Sequence, residues 1–533
     1  MSSEPSGKLP LVTEIWNHIC SFLPQPSLAN LRLASARLNE IASPWMYHSI
    51  RLDADQESVE QFVNIAKSPR LRYLVREITI DTEIGSDYSY HSNQEYPFPI
   101  AFMNALPFLR CLTKLTALHL RFNEHCGEDD HGCITIEETW EFRNHVLDTI
   151  CHCIAGMWTL ERQLELDEGI KGCLDEEEFD YSHQDLEFPA DTLRLKELTI
   201  ANLAAYHDIN TINSEAWRKV ISLPSLVDFK TFVVSEQDEA SPERAYYYEE
   251  KFEFFDSLHE SWLSPSLSDH LKVLSLYCQD YWGWFPKMDF RLVGSDSPFP
   301  QLKVLALGNY VFSHDWQIEW FARIGKENGS GGLEELYLDD CPILFKARQF
   351  GPFDAENPGY PDQAVVLQNQ DDEEKHRYPL RWHHFLSRWK DLMKGLKVFR
   401  MGSGAWNCAP NDTRETMMRS EDHAHTNQDK LYYRLSHNIH RYFACPPPIE
   451  RELHPVYKTK IWASGRYLQG SGLSDDRASQ MQYVKYDCGI CPSAWEETKG
   501  HPGRTGEVFE PEEGTRVKDD AAYGALIAEI EAR

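Results

Sequence analysis

Residues 302–307 read LKVLAL, residues 271–276 read LKVLSL, and residues 333–338 read LEELYL. In each, apolar residues stand at i, i+3 and i+5. The last two are two apart, so they share one side of an extended strand. The first turns the chain inward just before that strand. The pattern recurs at Leu115-Leu118-Leu120, Leu195-Leu198-Ile200, Leu226-Phe229-Thr231 and Leu396-Phe399-Met401. Val75-Ile78-Ile80 reads as an earlier copy, and Leu164-Leu166 as a degenerate one. Copies starting at 195 and 226, at 271 and 302, and at 302 and 333 lie 31 residues apart. A single such hexad arises by chance. Seven or eight with a recurring period do not.

A period of 31 leaves room for a strand and a returning helix, and amphipathic runs fill the intervals. Residues 214–223 place Trp217, Val220 and Ile221 on one side; residues 314–324 place Trp316, Trp320, Phe321 and Ile324. Residues 380–396 add Trp382, Phe385, Leu386, Trp389, Leu392 and Met393. The motif resembles the strand signature of leucine-rich repeats, with Asn123 and Cys341 at the Asn/Cys position three beyond the last apolar residue. The resemblance implies an α/β solenoid over 51–405, with parallel strands and helices on the convex side. A non-solenoid α/β domain is the alternative. Gaps in the period hold acidic insertions at 124–132, 174–185 and 368–377, which read as solvated loops or as parts of a binding face. The Gly-, Pro- and acid-rich stretch 347–378 is expected to be disordered.

The amino-terminal stretch 9–50 has a different character. Ile15, Ile19, Phe22 and Leu23 recur at helical steps after Thr13, a candidate N-cap, and Pro24 ends the run. Ser27 is expected to cap a second run with a stripe of Leu28, Leu31, Ala34, Leu38 and Ile41, which Ser43-Pro44 is expected to stop. About forty residues rarely stabilise themselves without crosslinks or a partner. The bland reading is the first two helices of a larger core. The run Glu14-Ile15, Ile19-Cys20, Leu23-Pro24, Ser27-Leu28, Leu31-Arg32-Leu33, Arg37-Leu38-Asn39 and Pro44-Trp45 resembles an F-box. It departs from that family at Val12, where proline is usual; Leu9-Pro10 sits two residues early.

The resemblance implies docking to a Skp-type adaptor, and through it to a cullin complex, by Leu11, Ile15, Ile19, Leu23, Leu28, Leu31, Leu33 and Trp45. The whole layout is similar to large fungal F-box proteins with irregular leucine-rich repeats. Residues 1–8 read as a flexible tail and 406–533 as a C-terminal cap or closing subdomain, with a last helical run at 521–530.

Composition narrows the function. The chain has 533 residues, too many for one compact core. Its 53 basic and 84 acidic residues give a net charge of −31, which argues against general nucleic-acid or anionic-membrane binding. Thirteen scattered cysteines exclude a complete disulfide framework. The opening MSSEPSGK has no apolar core of a secretory signal, and no stretch approaches the length of a membrane helix. An intracellular protein, in cytoplasm or nucleus, is expected.

Catalytic signatures are sparse. Cys488-Gly-Ile-Cys491 is a lone CxxC without the second pair a structural zinc site needs. His125, Cys126, His131 and Cys133, with Cys151 and Cys153, form a looser group. His437 and His440 lack the HExxH acid, and the adjacent His383 and His384 face different ways on a helix. No catalytic set, metal or cofactor is therefore assigned. The expected role is a non-catalytic subunit of a ubiquitin-protein ligase, with the repeats holding an unidentified protein substrate. A repeat scaffold that does not direct degradation is the alternative, and a cryptic zinc-dependent enzyme the third reading.

Overall fold

The inward leucines become neighbours across one sheet. The computed structural model describes residues 11–82, 100–122, 126–127, 138–169, 181–183, 186–234, 249–294, 297–339, 341–350, 352–362, 373–402, 481–487 and 511–533. Strands β1 (Ser49–Asp53), β2 (Glu77–Asp81), β3 (Ala117–Arg121), β4 (Glu197–Ala204) and β5 (Asp228–Val234) follow in order. After them come β6 (Val273–Trp282), β7 (Val304–Tyr310) and β8 (Glu335–Asp339). Then β9 (Ile343–Phe350) and β10 (Glu373–Arg377) leave the sheet, and β11 (Val398–Gly402) rejoins it. Among the described residues, nine strands form one parallel sheet, β1 to β8 and then β11, in chain order. The protein is a mixed α/β structure.

The register aligns the apolar pattern. Ile50, Ile78, Leu118, Leu198, Phe229, Leu274, Leu305, Leu336 and Phe399 are partners along one row. All nine are buried. The leading residues Val75, Leu115, Leu195, Leu226, Leu271, Leu302, Leu333 and Leu396 are buried too. Each large apolar side chain removed from water contributes about 1.5–3 kcal/mol, so these rows dominate the stability. Parallel neighbours need crossover connections, and helices supply several. They include α4 (Gln56–Lys67), α5 (Trp140–Ala155), α7 (Glu215–Ile221), α8 (Trp316–Arg323) and α9 (Trp382–Leu392). Ser214 caps α7 through Trp217 N, and Asp55 caps α4 through Ser58 N.

Two strand ends use buried asparagine. Asn202 and Asn309 adopt φ of 59° and 60° and donate Nδ2 to the Phe122 and Cys278 carbonyls, each at 2.7 Å. They stand two residues beyond the last apolar position, not three. Cys341 does stand three beyond, and its thiol donates to the Leu307 carbonyl at 3.3 Å. Asn123 lies outside the described residues. Gly308 is required for a different reason: a Cβ there would meet the Tyr277 ring at 2.2 Å.

Several expectations need correction. Leu164 and Leu166 belong to helix α6 (Leu160–Gly169), where Glu, Gln and Arg outweigh two leucines at a strand-like spacing. The stretch 347–378 is not disordered throughout. β9 and β10 pair antiparallel within it, and Tyr360 and Tyr378 are buried; residues 363–372 lie outside the described residues. The small sheet is completed by β12 (Tyr483–Asp487), parallel to β9. Strand β1 has no leading leucine, and Tyr47 stands where the pattern would put one.

Of 406–533, the described parts are β12 and residues 511–533, which hold helix α10 (Thr515–Glu531). α10 packs on α9. Its buried Asp519 accepts from His383 N at 2.9 Å and from the Tyr483 hydroxyl at 2.6 Å. Arg381, at the start of α9, pairs with Glu512 at 2.7 Å. Among the described residues, no helix is long and apolar enough to cross a membrane.

Candidate functional site

The amino-terminal unit consists of α1 (Thr13–Cys20), α2 (Gln25–Ala34) and α3 (Ala36–Met46). The expected second helix is two. Ser35 is extended, at φ −166° and ψ 158°, and its hydroxyl accepts from Leu38 N to start α3. Pro44 does not stop that helix but lies inside its last turn. Thr13 is the first helical residue rather than the cap, a place taken by Val12, and Ser27 lies inside α2, whose cap position is Pro24.

The unit has a thin core of its own. Cys20, Leu28, Ile41 and Ala42 are buried, with Trp16, Leu23, Leu31, Trp45 and Met46 partly buried against them. Polar ties hold the helices together. Trp45 Nε1 donates to Asn17 Oδ1 at 3.2 Å, and Arg37 to the Thr13 hydroxyl at 3.0 Å. Arg32 donates to Asn39 Oδ1 and to the Tyr47 hydroxyl, each at 3.0 Å.

The eight residues expected to dock an adaptor divide between two roles. Leu23, Leu28, Leu31 and Trp45 serve the internal core. Leu11, Ile15 and Leu33 face solvent at 38%, 45% and 86% exposure, and Ile19 is partly buried. Eleven large hydrophobic side chains are exposed among the described residues; five of them, including Val12 and Phe22, lie between Leu11 and Leu33. Isolated exposed leucines are ordinary, whereas a concentration of this kind marks an interaction surface. Phe22, 73% exposed, was not assigned to docking from the sequence. α1 stops at Cys20, so extending its helical stripe to residue 22 misplaces that ring. It packs edge-on against His18 instead.

The face of the sheet opposite the leucines carries a second arrangement. Lys230 on β5 is fully buried, with Glu197 of β4 at 2.5 Å and Asp228 at 2.8 Å from its ammonium. Burial alone would lower the Lys230 pKa, but the two carboxylates outweigh it and hold the ammonium charged. Burial pushes Asp228 upward despite Lys230, whereas Lys230 outweighs burial at Glu197 and holds it down. Thr199 and Ser275 flank Lys230 in register and are buried. Their hydroxyls find no hydrogen-bond partner among the described residues. On β3, His119 lies 3.5 Å from Glu77. This network was not legible in the sequence, because its members come from separate strands.

Only part of the metal-ligand groups weighed above lies within the described residues. Cys151 and Cys153 are buried on α5, and burial pushes the Cys153 thiol up to about 12 and Cys151 higher. Thiols so raised stay protonated and are poor ligands. Cys126 lies on a two-residue strand. His125, His131, Cys133, His437, His440, Cys488 and Cys491 lie outside the described residues. His383 bonds Asp519 through Nδ1 at 2.7 Å and is tied to the α9–α10 contact. No group of three or more metal-binding side chains occurs among the described residues.

No protein-family model matches this chain, and no curated protein matches it.

Proposed function

We propose that this chain is a substrate-recognition adaptor of a cullin-type ubiquitin ligase. In this reading residues 9–50 are an F-box that docks a Skp-type adaptor. The parallel sheet is an irregular leucine-rich-repeat solenoid, with its helices on the convex side, and it holds a protein substrate. One observation carries the reading: exposed apolar side chains concentrate on a small helical unit that precedes a leucine-patterned sheet. Leu11, Val12, Ile15, Phe22 and Leu33 supply the contact surface. Full burial of an exposed side chain of this size contributes about 1.5–3 kcal/mol, and less for Leu11 and Ile15, which are already more than half covered; together they form the apolar centre of an interface. The chain's own chemistry in this role is proximity, since transfer of ubiquitin belongs to the partner complex.

The test is copurification of a Skp-type adaptor with the full chain and with Ile15→Asp/Leu33→Asp. Both side chains are exposed, so the variant keeps its fold and loses the adaptor. Retention of the adaptor by the folded variant sinks the docking assignment. Accumulation of a bound protein when the chain is removed separates a degradative adaptor from a passive scaffold.

A further inference from the structure

One edge of the sheet carries charge opposite in sign to the rest of the chain. Residues 61–76, QFVNIAKSPRLRYLVR, contain four basic residues and no acidic one, in a protein of net charge −31. They run from α4 through a helical turn at Pro69–Arg72 into β2. Arg70 is exposed, Arg72 and Arg76 are partly exposed, and Tyr73 beside them is 50% exposed.

The sheet register brings more cations alongside. The Arg76 carbonyl accepts from Thr116 N at 2.8 Å, and the Thr116 carbonyl from Lys196 N at 2.7 Å. The approaches to β2, β3 and β4 therefore lie side by side. Leu115 and Leu195 are buried, while Lys114, Arg194 and Lys196 on either side of them are exposed. Arg76 donates to the Tyr73 carbonyl at 2.6 Å. None of Arg70, Arg72, Arg76, Lys114, Arg194 or Lys196 has a carboxylate partner among the described residues. The chain has 84 acidic residues to offer.

Neighbouring strands lie about 4.8 Å apart, inside a Debye length of roughly 8 Å, so these charges act together. Arginine forks suit carboxylates and phosphates, and a half-exposed tyrosine suits a protein contact. A long polyanion would press the rest of its charge against the acidic body. A short segment keeps its charge on the patch. We propose that this edge docks a short acidic segment of a partner protein, whose anionic groups are carboxylates or phosphates. The inference stands on charge placement, independently of the adaptor reading.

Two short labelled peptides, one bearing glutamates and one phosphoserines at the same positions, are titrated against the full chain at low and moderate salt. At least one binds and weakens with added salt, and the tighter of the two identifies the anionic group. Arg70→Glu/Arg72→Glu/Lys114→Glu lowers its affinity about tenfold or more, and Lys219→Glu on α7 leaves it unchanged. Arg194→Glu/Lys196→Glu, on the approach to the neighbouring strand β4, lowers it several-fold and covers the case in which the first variant misfolds. Unchanged affinity in either patch variant that retains the parental melting temperature overturns the proposal. So does failure of both peptides to bind, or tighter binding of a single-stranded oligonucleotide or phosphatidylserine vesicles.

Discussion

The helical unit at residues 11–46 and the nine-stranded sheet are both rich in leucine, yet they use it in opposite ways. In the sheet, each inward residue is covered by its neighbours on adjacent strands and by crossover helices, and Leu274 and Leu336 are fully buried. In the helical unit five apolar residues, Cys20, Leu28, Leu38, Ile41 and Ala42, are buried, and Leu33 and Phe22 stand in solvent. Three short helices cannot enclose their own apolar surface, whereas each added strand covers the last one. Substitutions should therefore damage stability in the sheet and association in the helical unit.

The largest effect is expected at Lys230. Lys230→Ala leaves the buried Asp228 and the partly buried Glu197 without their cation and costs about 3–5 kcal/mol, as read by denaturant unfolding of the full chain. A loss below about 1 kcal/mol would show that water reaches those carboxylates. Leu274→Ala, in the middle of the inward row, is next at about 2–5 kcal/mol for lost transfer energy and cavity. An equal loss from Leu33→Ala would erase the contrast between the two regions.

A pH effect is expected on the sheet side. His314 precedes α8 and stacks on Tyr360 with ring centroids 4.1 Å apart. Its Nε2 donates to the Pro358 carbonyl at 3.1 Å, and its Nδ1 accepts from the Ser313 hydroxyl at 2.7 Å. Burial, with Arg291 nearby, lowers its pKa to about 4. The neutral form is thus the folded one, and its contribution is present above pH 6.5. It is lost as pH falls from 6.5 through 4, amounting to roughly 2–3 kcal/mol. His314→Gln should remove that part of the acid sensitivity. An unchanged difference in stability between pH 6.5 and 4 would contradict it. The smallest stability change is expected from Ile15→Asp, below about 0.5 kcal/mol in thermal melting, although the same change abolishes docking in the proposed function.

Most of the sheet was legible because a strand's two inward residues are only two positions apart. Leu302, Leu305 and Leu307 announce β7 without reference to any other strand. The same rule misread Leu164-Leu166, since spacing of two also occurs by accident in a polar helix. It missed β1 (Ser49–Asp53), because Tyr47 stands where the leading leucine would be. The candidate docking surface was half legible. Ile15 and Leu33 are exposed as expected, but Leu23, Leu28, Leu31 and Trp45 close the unit's own core. A helical stripe shows which residues are apolar together, and it does not show how much of that face the unit itself consumes.

The sequence by itself determined the α/β class, the inward rows of the strands and the presence of a separate apolar helical stretch. All three follow from periods of two to four residues, which local backbone geometry imposes. The tertiary structure alone decided that Lys230 is buried between two carboxylates. It also decided that Phe22 is exposed and that Arg76, Lys114 and Lys196 share one edge. Those outcomes depend on register between residues distant along the chain, and electrostatic and packing energies are set by distance in space.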